Sequence, residues 1–403
     1  MQTAASEFVV ALDIGSARTR CLIAEADNGS LRLVGRGEEP SRGVRRGEVI
    51  DLAAARYGVN HAIAAAEQTA GLDVQTLFLG VGSRHVTFLN NRACVGITRE
   101  EQIINARDVR KALGSASRIP LRDDALTIGT LTCGFSVDDI RQVRQPEGMH
   151  GTRLEAEVHV ITDARGTVEN MAACLAPGKR QIEGHVFNAH AAGHAVLDPD
   201  EKRLGCAVID IGAGTTRLMV YRDDAPVFSS TVPVGGDHIT NDIAIGTGLC
   251  TPDAEQLKED HASVGPARLD RPITFRALGK GSVYSVDPRR LNAIVDARVT
   301  EMLDIIRREL MRTGTRPSSI RAVLTGGTSR LAGLDALAST VIGCPVRVGR
   351  PRLQGDTFGP VGPELATAVG ILLAGLTARR RQSQPLPAAS RALQLVNWMR
   401  QFF

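Results

Sequence analysis

One pattern occurs twice in this chain and limits what it can fold into. An apolar run ending in Asp-Ile-Gly appears as Val10-Ala-Leu-Asp-Ile-Gly-Ser-Ala and again, about 200 residues later, as Val208-Ile-Asp-Ile-Gly-Ala-Gly-Thr. Each copy reads as a strand, over 8–14 and 206–211, then a glycine turn, then a second strand over 19–24 and 216–221. An internal duplication at that separation calls for two lobes built on one plan. A chain of 403 residues is long enough for both.

The turn itself carries chemistry. A carboxylate stands at the end of an apolar strand, and glycine follows because the tight turn needs positive φ and close approach to a ligand. The turn's N–H groups and the hydroxyls of Ser16, Thr215 and Thr216 can hold phosphate oxygens, while Asp13 and Asp210 hold Mg2+ through water. One such turn alone reads equally well as a hairpin tip. A third glycine turn, Thr325-Gly-Gly-Thr-Ser, stands between a strand over 322–324 and a helix expected over 331–342. A Gly-Gly helix start lets a flat base lie against the backbone. Three such turns in this order weigh against plain hairpin tips and for bound phosphate.

The rest of the pattern fits that plan. Helices are expected over 52–70, 163–175, 288–311 and 366–378, with a further strand over 77–81. Between residues 84 and 160 the texture changes. Short strands over 86–89, 126–131 and 155–161 flank a polar helix over 99–113, which reads as a small inserted α+β unit. A net charge of +4 without a clustered basic face argues against a nucleic-acid partner. Seven scattered cysteines, odd in number and with no CxxC pair, read as reduced thiols in a cytosolic protein and not as a zinc site. The start of the chain lacks a basic n-region, so no signal peptide is expected. The longest charge-free apolar run, 365–378, falls short of the roughly 20 residues a membrane-spanning helix needs.

The final residues have a different character. On a helix, Ala392, Leu393, Leu395, Val396, Trp398, Met399, Phe402 and Phe403 share one face, Gln394, Asn397 and Gln401 lie opposite, and Arg391 and Arg400 sit at the borders. Such a helix suits a membrane interface, with its apolar face at the acyl boundary and its arginines on anionic headgroups. Arg379, Arg380 and Arg381, in a linker containing two prolines, would add roughly 1 kcal/mol each near that surface. The alternative is a terminal helix docked on its own body or on a partner.

The order Asp-Ile-Gly, Asp-Ile-Gly-x-Gly-Thr, Thr-Gly-Gly resembles the actin, Hsp70 and sugar-kinase superfamily. Within it, Pro40-Ser-Arg-Gly-Val, Gly47-Glu-Val-Ile-Asp, Val234-Gly-Gly-Asp-His-Ile-Thr-Asn-Asp-Ile-Ala, Asp253-Ala-Glu-Gln-Leu-Lys and Val323-Leu-Thr-Gly-Gly are similar to the FtsA family, the bacterial cell-division actin homologues. The likeness covers nearly the whole chain. It implies an α/β, actin-like two-lobed ATPase fold with an inserted SHS2-type α+β subdomain and a C-terminal amphipathic helix. The implied divisions are 1–83 with 163–195 for the first lobe core and 84–162 for the insert. The second lobe core is 196–238 with 313–378, its last helix returning to the first lobe, and its outer subdomain is 239–312. A linker, 379–389, and a membrane helix, 390–403, follow.

The same likeness implies roles. ATP with Mg2+ would lie between the lobes, its phosphates gripped by Asp13, Gly15, Ser16, Asp210, Gly212, Gly214, Thr215 and Thr216. Gly235, Gly236 and Asp237 would line the cleft, Glu255 and Lys258 would meet the ribose and base, and Gly326, Gly327 and Thr328 would pack on adenosine. Out of that context, Glu255 and Lys258 read as a plain surface ion pair. The helix over 288–311 lies where FtsA receives the C-terminal peptide of FtsZ, the tubulin-like division protein. Arg289, Arg290 and Arg298, with Glu301, suit an acidic peptide there, or form a solvated face. The 84–162 unit would contact neighbouring protomers in a filament or later division proteins.

Taken together, the likeness implies an ATP-binding, polymerising protein that tethers the FtsZ ring to anionic lipids on the cytoplasmic face of the inner membrane at the septum. Three departures bear on it. The second turn reads Gly-Ala-Gly, and Arg217 stands where an acid is usual. Asn188 stands where many actin-like ATPases keep a Glu or Gln that orients the attacking water, which implies slow hydrolysis at most. A type IV pilus assembly protein of PilM type shares this layout but would lack the membrane tail. A sugar kinase would need a catalytic Asp for which no residue stands out, and a chaperone would need a β-rich C-terminal domain.

Overall fold

The computed structural model describes residues 7–383 apart from 28–29, 177, 266–270, 277–282, 315 and 354–360. The chain begins with an antiparallel meander of β1 (Glu7–Ile14), β2 (Arg18–Asp27) and β3 (Ser30–Pro40). A small hairpin of β4 (Val44–Arg45) and β5 (Glu48–Val49) leads to α1 (Leu52–Ala70), and β6 (Thr76–Val81) returns to pair parallel with β1. An insertion follows, comprising β7 (Thr87–Gly96), α2 (Ala106–Ala116), β8 (Ala125–Val137), β9 (Ile140–Val143) and β10 (Arg153–Ala164). Its strands form a separate sheet in the order β7-β10-β8-β9, with its own small core. After α3 (Arg165–Ala172), β11 (Gln181–Phe187) joins β6 and completes the first sheet, β11-β6-β1-β2-β3.

Helices α4 (Asn188–Val196) and α5 (Pro199–Leu204) lead into a second lobe. There β12 (Cys206–Ile211), β13 (Thr216–Arg222) and β14 (Ala225–Val232) repeat the meander. The outer part of this lobe holds α6 (Gly236–Thr247), α7 (Thr251–His261), the hairpin β15 (Ile273–Arg276) and β16 (Val283–Val286), and α8 (Pro288–Met311). Then β17 (Arg321–Thr325), α9 (Leu334–Ile342) and β18 (Val346–Val348) complete a sheet ordered β14-β13-β12-β17-β18. The two sheets share one topology, an antiparallel meander extended on its first strand by two parallel strands. The duplication in the sequence is thus a duplication of the fold. Finally α10 (Ala366–Ser383) packs back on β1, β6 and α4 of the first lobe.

The strand sequences follow from position. The first strand of each meander is central in its sheet, so residues 9–14 and all of β12 are buried and the run is apolar without alternation. Helix α1 starts where Asp51 Oδ1 accepts the Ala54 N–H at 3.0 Å and stops at Gly71, whose φ is 68°. Helix α8 starts at Asp287 and Pro288 and buries Leu291, Val295, Val299, Met302, Ile306 and Leu310 in the second lobe's core.

Some elements differ from the sequence-based expectation. The polar helix expected over 99–113 begins at Ala106, because Asn105 and Asp108 form a reciprocal capping box. Strand β10 runs through Ala164, so the next helix covers only Arg165–Ala172. The helix expected over 331–342 begins only at Leu334, because Gly333 adopts a φ of 83°, and a 3-10 turn, Gly327–Arg330, precedes it. Helix α10 continues to Ser383, so residues 379–381 are helical and not linker. Residues 384–403, including the whole expected membrane helix, lie outside the described residues. All seven cysteines are free.

Candidate functional site

The repeated turns close in the same way. Gly15 N–H donates to the Arg18 carbonyl at 3.0 Å, and Gly212 N–H to that of Thr215 at 2.9 Å. Asp13 and Asp210 are buried at the ends of β1 and β12. A Cβ added to Gly214 would lie 2.6 Å from Ser16 Oγ, so the turns of the two lobes face one another closely.

The third turn and α6 converge on the second turn. The Gly212 carbonyl accepts from the Gly236 N–H and from Thr328 Oγ1, each at 3.0 Å, and Asp237 N–H donates to the Ala213 carbonyl at 2.8 Å. Gly326 has a φ of 86°, and a Cβ there would come within 2.4 Å of Asp210 Oδ1, so only glycine fits. From α7, Lys258 Nζ meets both carboxylate oxygens of Glu255, at 2.7 and 2.8 Å, and donates to Thr240 Oγ1 at 2.9 Å. This pair is therefore turned onto α6 and into the cleft.

These groups surround a cavity of about 810 Å³, within the size range of small-molecule sites. Its walls include Asp13, Gly15, Ser16, Asp210, Gly212, Gly214, Thr215, Glu255, Lys258, Gly326, Gly327 and Thr328. Other expected residues stand elsewhere. Thr216 Oγ1 donates to the Val234 carbonyl at 2.8 Å, so its hydroxyl serves the sheet and not the cleft. Gly236 and Asp237 hold the second turn through their N–H groups, and a Cβ on Gly236 would lie 2.6 Å from Thr328 Oγ1 and 3.4 Å from Lys258 Nζ of the cavity wall. Burial pushes the Asp237 carboxyl up, against the pull of Lys258. Asn188 opens α4 but does not line the cavity. It is buried, its Oδ1 lacks a partner among the described residues, and it lies where a Cβ on Gly80 would be 2.7 Å away.

Two arginines were not expected to share the site. In the β1–β2 ladder Arg20 stands opposite Asp13, and in the β12–β13 ladder Arg217 stands opposite Asp210. Each follows its aspartate by seven residues, so the duplication extends to Asp-Ile-Gly-Ser-Ala-Arg-Thr-Arg and Asp-Ile-Gly-Ala-Gly-Thr-Thr-Arg. That common spacing was visible in the sequence, but only a hairpin of known length makes it a cross-strand pair. Arg217 is buried. Its Nη1 lies 3.4 Å from Asp210 Oδ2, and its Nε donates across the lobes to the Gly82 carbonyl at 3.1 Å. Thr367 Oγ1, from α10, donates to the same Asp210 oxygen at 3.2 Å. Burial pushes both carboxyls up; for Asp13, Arg20 and Arg217 oppose it, and for Asp210, Arg217 is the strongest opposing influence.

Asp13 and Asp210, the pair expected to hold Mg2+ through water, both line the cavity. One oxygen of Asp210 is engaged by the Arg217 guanidinium and the Thr367 hydroxyl. Among the described residues no group of three or more His, Cys, Asp or Glu side chains is placed to hold a metal ion.

Comparison with known proteins bears on what this cleft serves. A family model described as "Cell division protein FtsA" matches residues 207–370, and one described as "SHS2 domain inserted in FTSA" matches 83–162. The cell division protein FtsA of Pseudomonas aeruginosa is 32% identical over 377 residues, covering 92% of this chain and 89% of its own. The chain belongs to the FtsA family. The FtsA proteins of Rhizobium meliloti (35% identity, 91% of this chain and 87% of that one) and Bacillus subtilis (30%, 91% and 83%) are similarly related. Among solved structures, the PilM-PilN type IV pilus biogenesis complex matches with a TM-score of 0.63 at 18% identity, covering 91% of this chain and 98% of that one. MreB5 of Spiroplasma citri bound to ADP matches at 0.55 and 13%, covering 94% and 99%. At such identities these two show the actin-like fold alone. The chain is an actin-like cell division protein with an SHS2 insertion.

The α8 residues expected to meet a partner separate into two pairs. Arg298 is committed internally, its Nε to Asp242 of α6 and its Nη1 to Glu301, both at 2.5 Å. It is therefore not a free cation for an acidic peptide, and Glu301 is spent on it. Arg289 and Arg290 are exposed at the start of α8. Among the described residues no helix is long and apolar enough to cross a membrane.

Proposed function

We propose that this FtsA-family chain binds ATP in the interlobe cleft, polymerises, and tethers the FtsZ ring to the cytoplasmic membrane at the division septum, recruiting later division proteins through residues 84–162. The carrying observation is the convergence of Gly236 and Thr328 on the Gly212 carbonyl, opposite Ser16. It joins three separated glycine motifs around one cavity of nucleotide size. The MreB5 neighbour holds ADP in one structure and AMPPNP in another, which supports a nucleotide here. The bound nucleotide supplies a polyphosphate that both lobes grip, and this fixes the lobe geometry for polymerisation.

For the membrane, the supporting feature is the amphipathic pattern of 390–403. The test is co-sedimentation with anionic vesicles in the presence of ATP, comparing the full chain with one ending at Ala389. The full chain should pellet and the shorter one stay in solution. If both stay in solution, the tail is not an anchor and the tethering role fails.

A further inference from the structure

Helix α4 carries two histidines one turn apart, and their imidazoles meet. His190 and His194 stand four residues apart on one face, with Nε2 facing Nε2 at 3.1 Å and ring planes at 88°. We infer that this pair binds a divalent transition-metal ion of the zinc, nickel or copper class, with water in the remaining positions, beside the contact between α4 and the second lobe.

Three observations carry it. First, the separation fits two ligands of one ion. At metal–nitrogen distances of about 2.0–2.1 Å, two ligand nitrogens lie about 2.9 Å apart at a right angle and about 3.3 Å apart at a tetrahedral one. The 3.1 Å between these rings falls within that span, so an ion takes the place of the hydrogen between them with only small turns of the side chains. Second, the His190 ring is held by its other nitrogen. Tyr221 of β13 sends its hydroxyl hydrogen to Met219 Sδ at 3.2 Å, so its oxygen accepts the His190 Nδ1–H at 3.1 Å and the lone pair of that ring is left on Nε2. A hydrogen bond on the far nitrogen orients a metal-binding imidazole and raises its basicity. Gly193 permits the contact, since a Cβ there would lie 3.0 Å from the Tyr221 hydroxyl. Third, the pair stands at the open edge of its helix. Both histidines are partly exposed while Ala191, Ala192 and Ala195 around them are buried, so an ion and its waters reach the two nitrogens.

Two protein ligands are fewer than the four of a structural zinc site, so the ion is exchangeable. It sits where α4 leaves β11 of the first lobe and packs on β12 and β13 of the second. A bound ion polarises the His190 ring, strengthens its donation to Tyr221, and holds the helix more firmly to the second lobe.

The experiment is calorimetric titration of the full chain with Ni2+ in the absence of nucleotide. Nickel suits imidazole, and the exposed thiols of Cys94 and Cys250 compete for it less than they would for zinc. Saturable binding is expected. His194→Ala should weaken it at least about tenfold by removing the chelate. Tyr221→Phe should weaken it about tenfold while keeping both ligands. Ni2+ should raise the melting temperature of the native chain and leave that of His194→Ala unchanged. Melts in EDTA show whether each variant folds, and if Tyr221→Phe does not, His194→Ala, at a partly exposed position, still decides. Native affinity in His194→Ala places the ion elsewhere and overturns the inference, as does the lack of saturable binding by the native chain.

Discussion

Arg379 grips Glu183 with two parallel hydrogen bonds, Nε to Oε1 at 2.6 Å and Nη2 to Oε2 at 2.5 Å, and its Nη1 donates to the Phe8 carbonyl at 2.7 Å. The last turns of α10 are thereby fastened to β11 and to the start of β1. An arginine that the sequence placed in a membrane-facing linker is part of the body. Arg379→Ala should lower unfolding free energy by about 1–2 kcal/mol, as expected for a partly buried bidentate pair. The hydrogen bonds from Arg379 hold the Glu183 carboxyl below its usual pKa. A carboxylate held down contributes stability that is present above its unfolded pKa of about 4.3 and lost as pH falls through its folded value. Urea midpoints measured between neutral pH and the acid range should show that loss in the native chain and a smaller one in Arg379→Ala. Pelleting with vesicles should be unchanged in the variant, and a large fall would return Arg379 to the membrane.

Gly326 allows a sharper test of the cleft. Alanine there must take a φ near 86° with its Cβ within 2.4 Å of Asp210 Oδ1. The left-handed backbone alone costs about 1–2 kcal/mol, and relieving the clash displaces the carboxylate or the turn. Gly326→Ala should lower stability by at least that amount and abolish binding of a fluorescent ATP analogue. Thr328→Val should lose only the hydrogen bond to Gly212, about 1 kcal/mol, and weaken binding without abolishing it. Equal nucleotide affinity in Gly326→Ala would place the ligand away from the third turn.

The parts of this architecture that could be read from the sequence are those in which local signals and burial agree. The extents of α1 and α8 followed from apolar residues at helical spacing, and their starts fall at the caps Asp51 and Asp287, which act within a few residues. The central strands followed from apolar runs too short for helices. What was missed depends on distant partners. Nothing near Thr216 shows that its hydroxyl turns to Val234, and nothing near Arg298 shows that α6 supplies Asp242. Helix α10 passes residue 379 because Glu183, far away in sequence, anchors its arginine. The capping box at Asn105 and Asp108 was a local signal, and reading it would have placed the start of α2 correctly.

His159 makes the seat of the insertion sensitive to pH. It is buried in β10, with Nδ1 on Asn90 Oδ1 at 2.5 Å and Nε2 on Ser229 Oγ of the second lobe at 2.7 Å. Asn90 also donates to the Val227 carbonyl at 3.0 Å. Burial pushes the imidazole down to about 4 from 6.5. Between these values the unfolded chain binds a proton that the folded chain refuses, so stability falls as pH drops from about 6.5 toward 4. Denaturation midpoints at pH 7 and pH 5 should differ in that direction, and His159→Asn should remove this part of the difference. An unchanged slope in the variant would mean that other groups set it.

The start of α8 carries the remaining prediction about partners. Arg289 and Arg290 are exposed in its first turn, where the helix dipole favours negative charge and the N-cap Asp287, accepting the Arg289 N–H at 2.9 Å, is the one acid set against the two cations. Two cations at a positive helix end are mutually unfavourable, and an acidic peptide relieves that repulsion. Arg298 cannot serve in the same way, because Asp242 and Glu301 already neutralise it. A synthetic peptide with the acidic C-terminal sequence of FtsZ, titrated against the full chain, should therefore bind about tenfold more weakly to the double variant Arg289→Glu, Arg290→Glu. Arg298→Ala should leave that affinity within about twofold while lowering the melting temperature, since it strands Asp242 and Glu301. The opposite ranking would mean that the peptide displaces the Arg298 pairs and that α8 is read through its middle instead of its first turn.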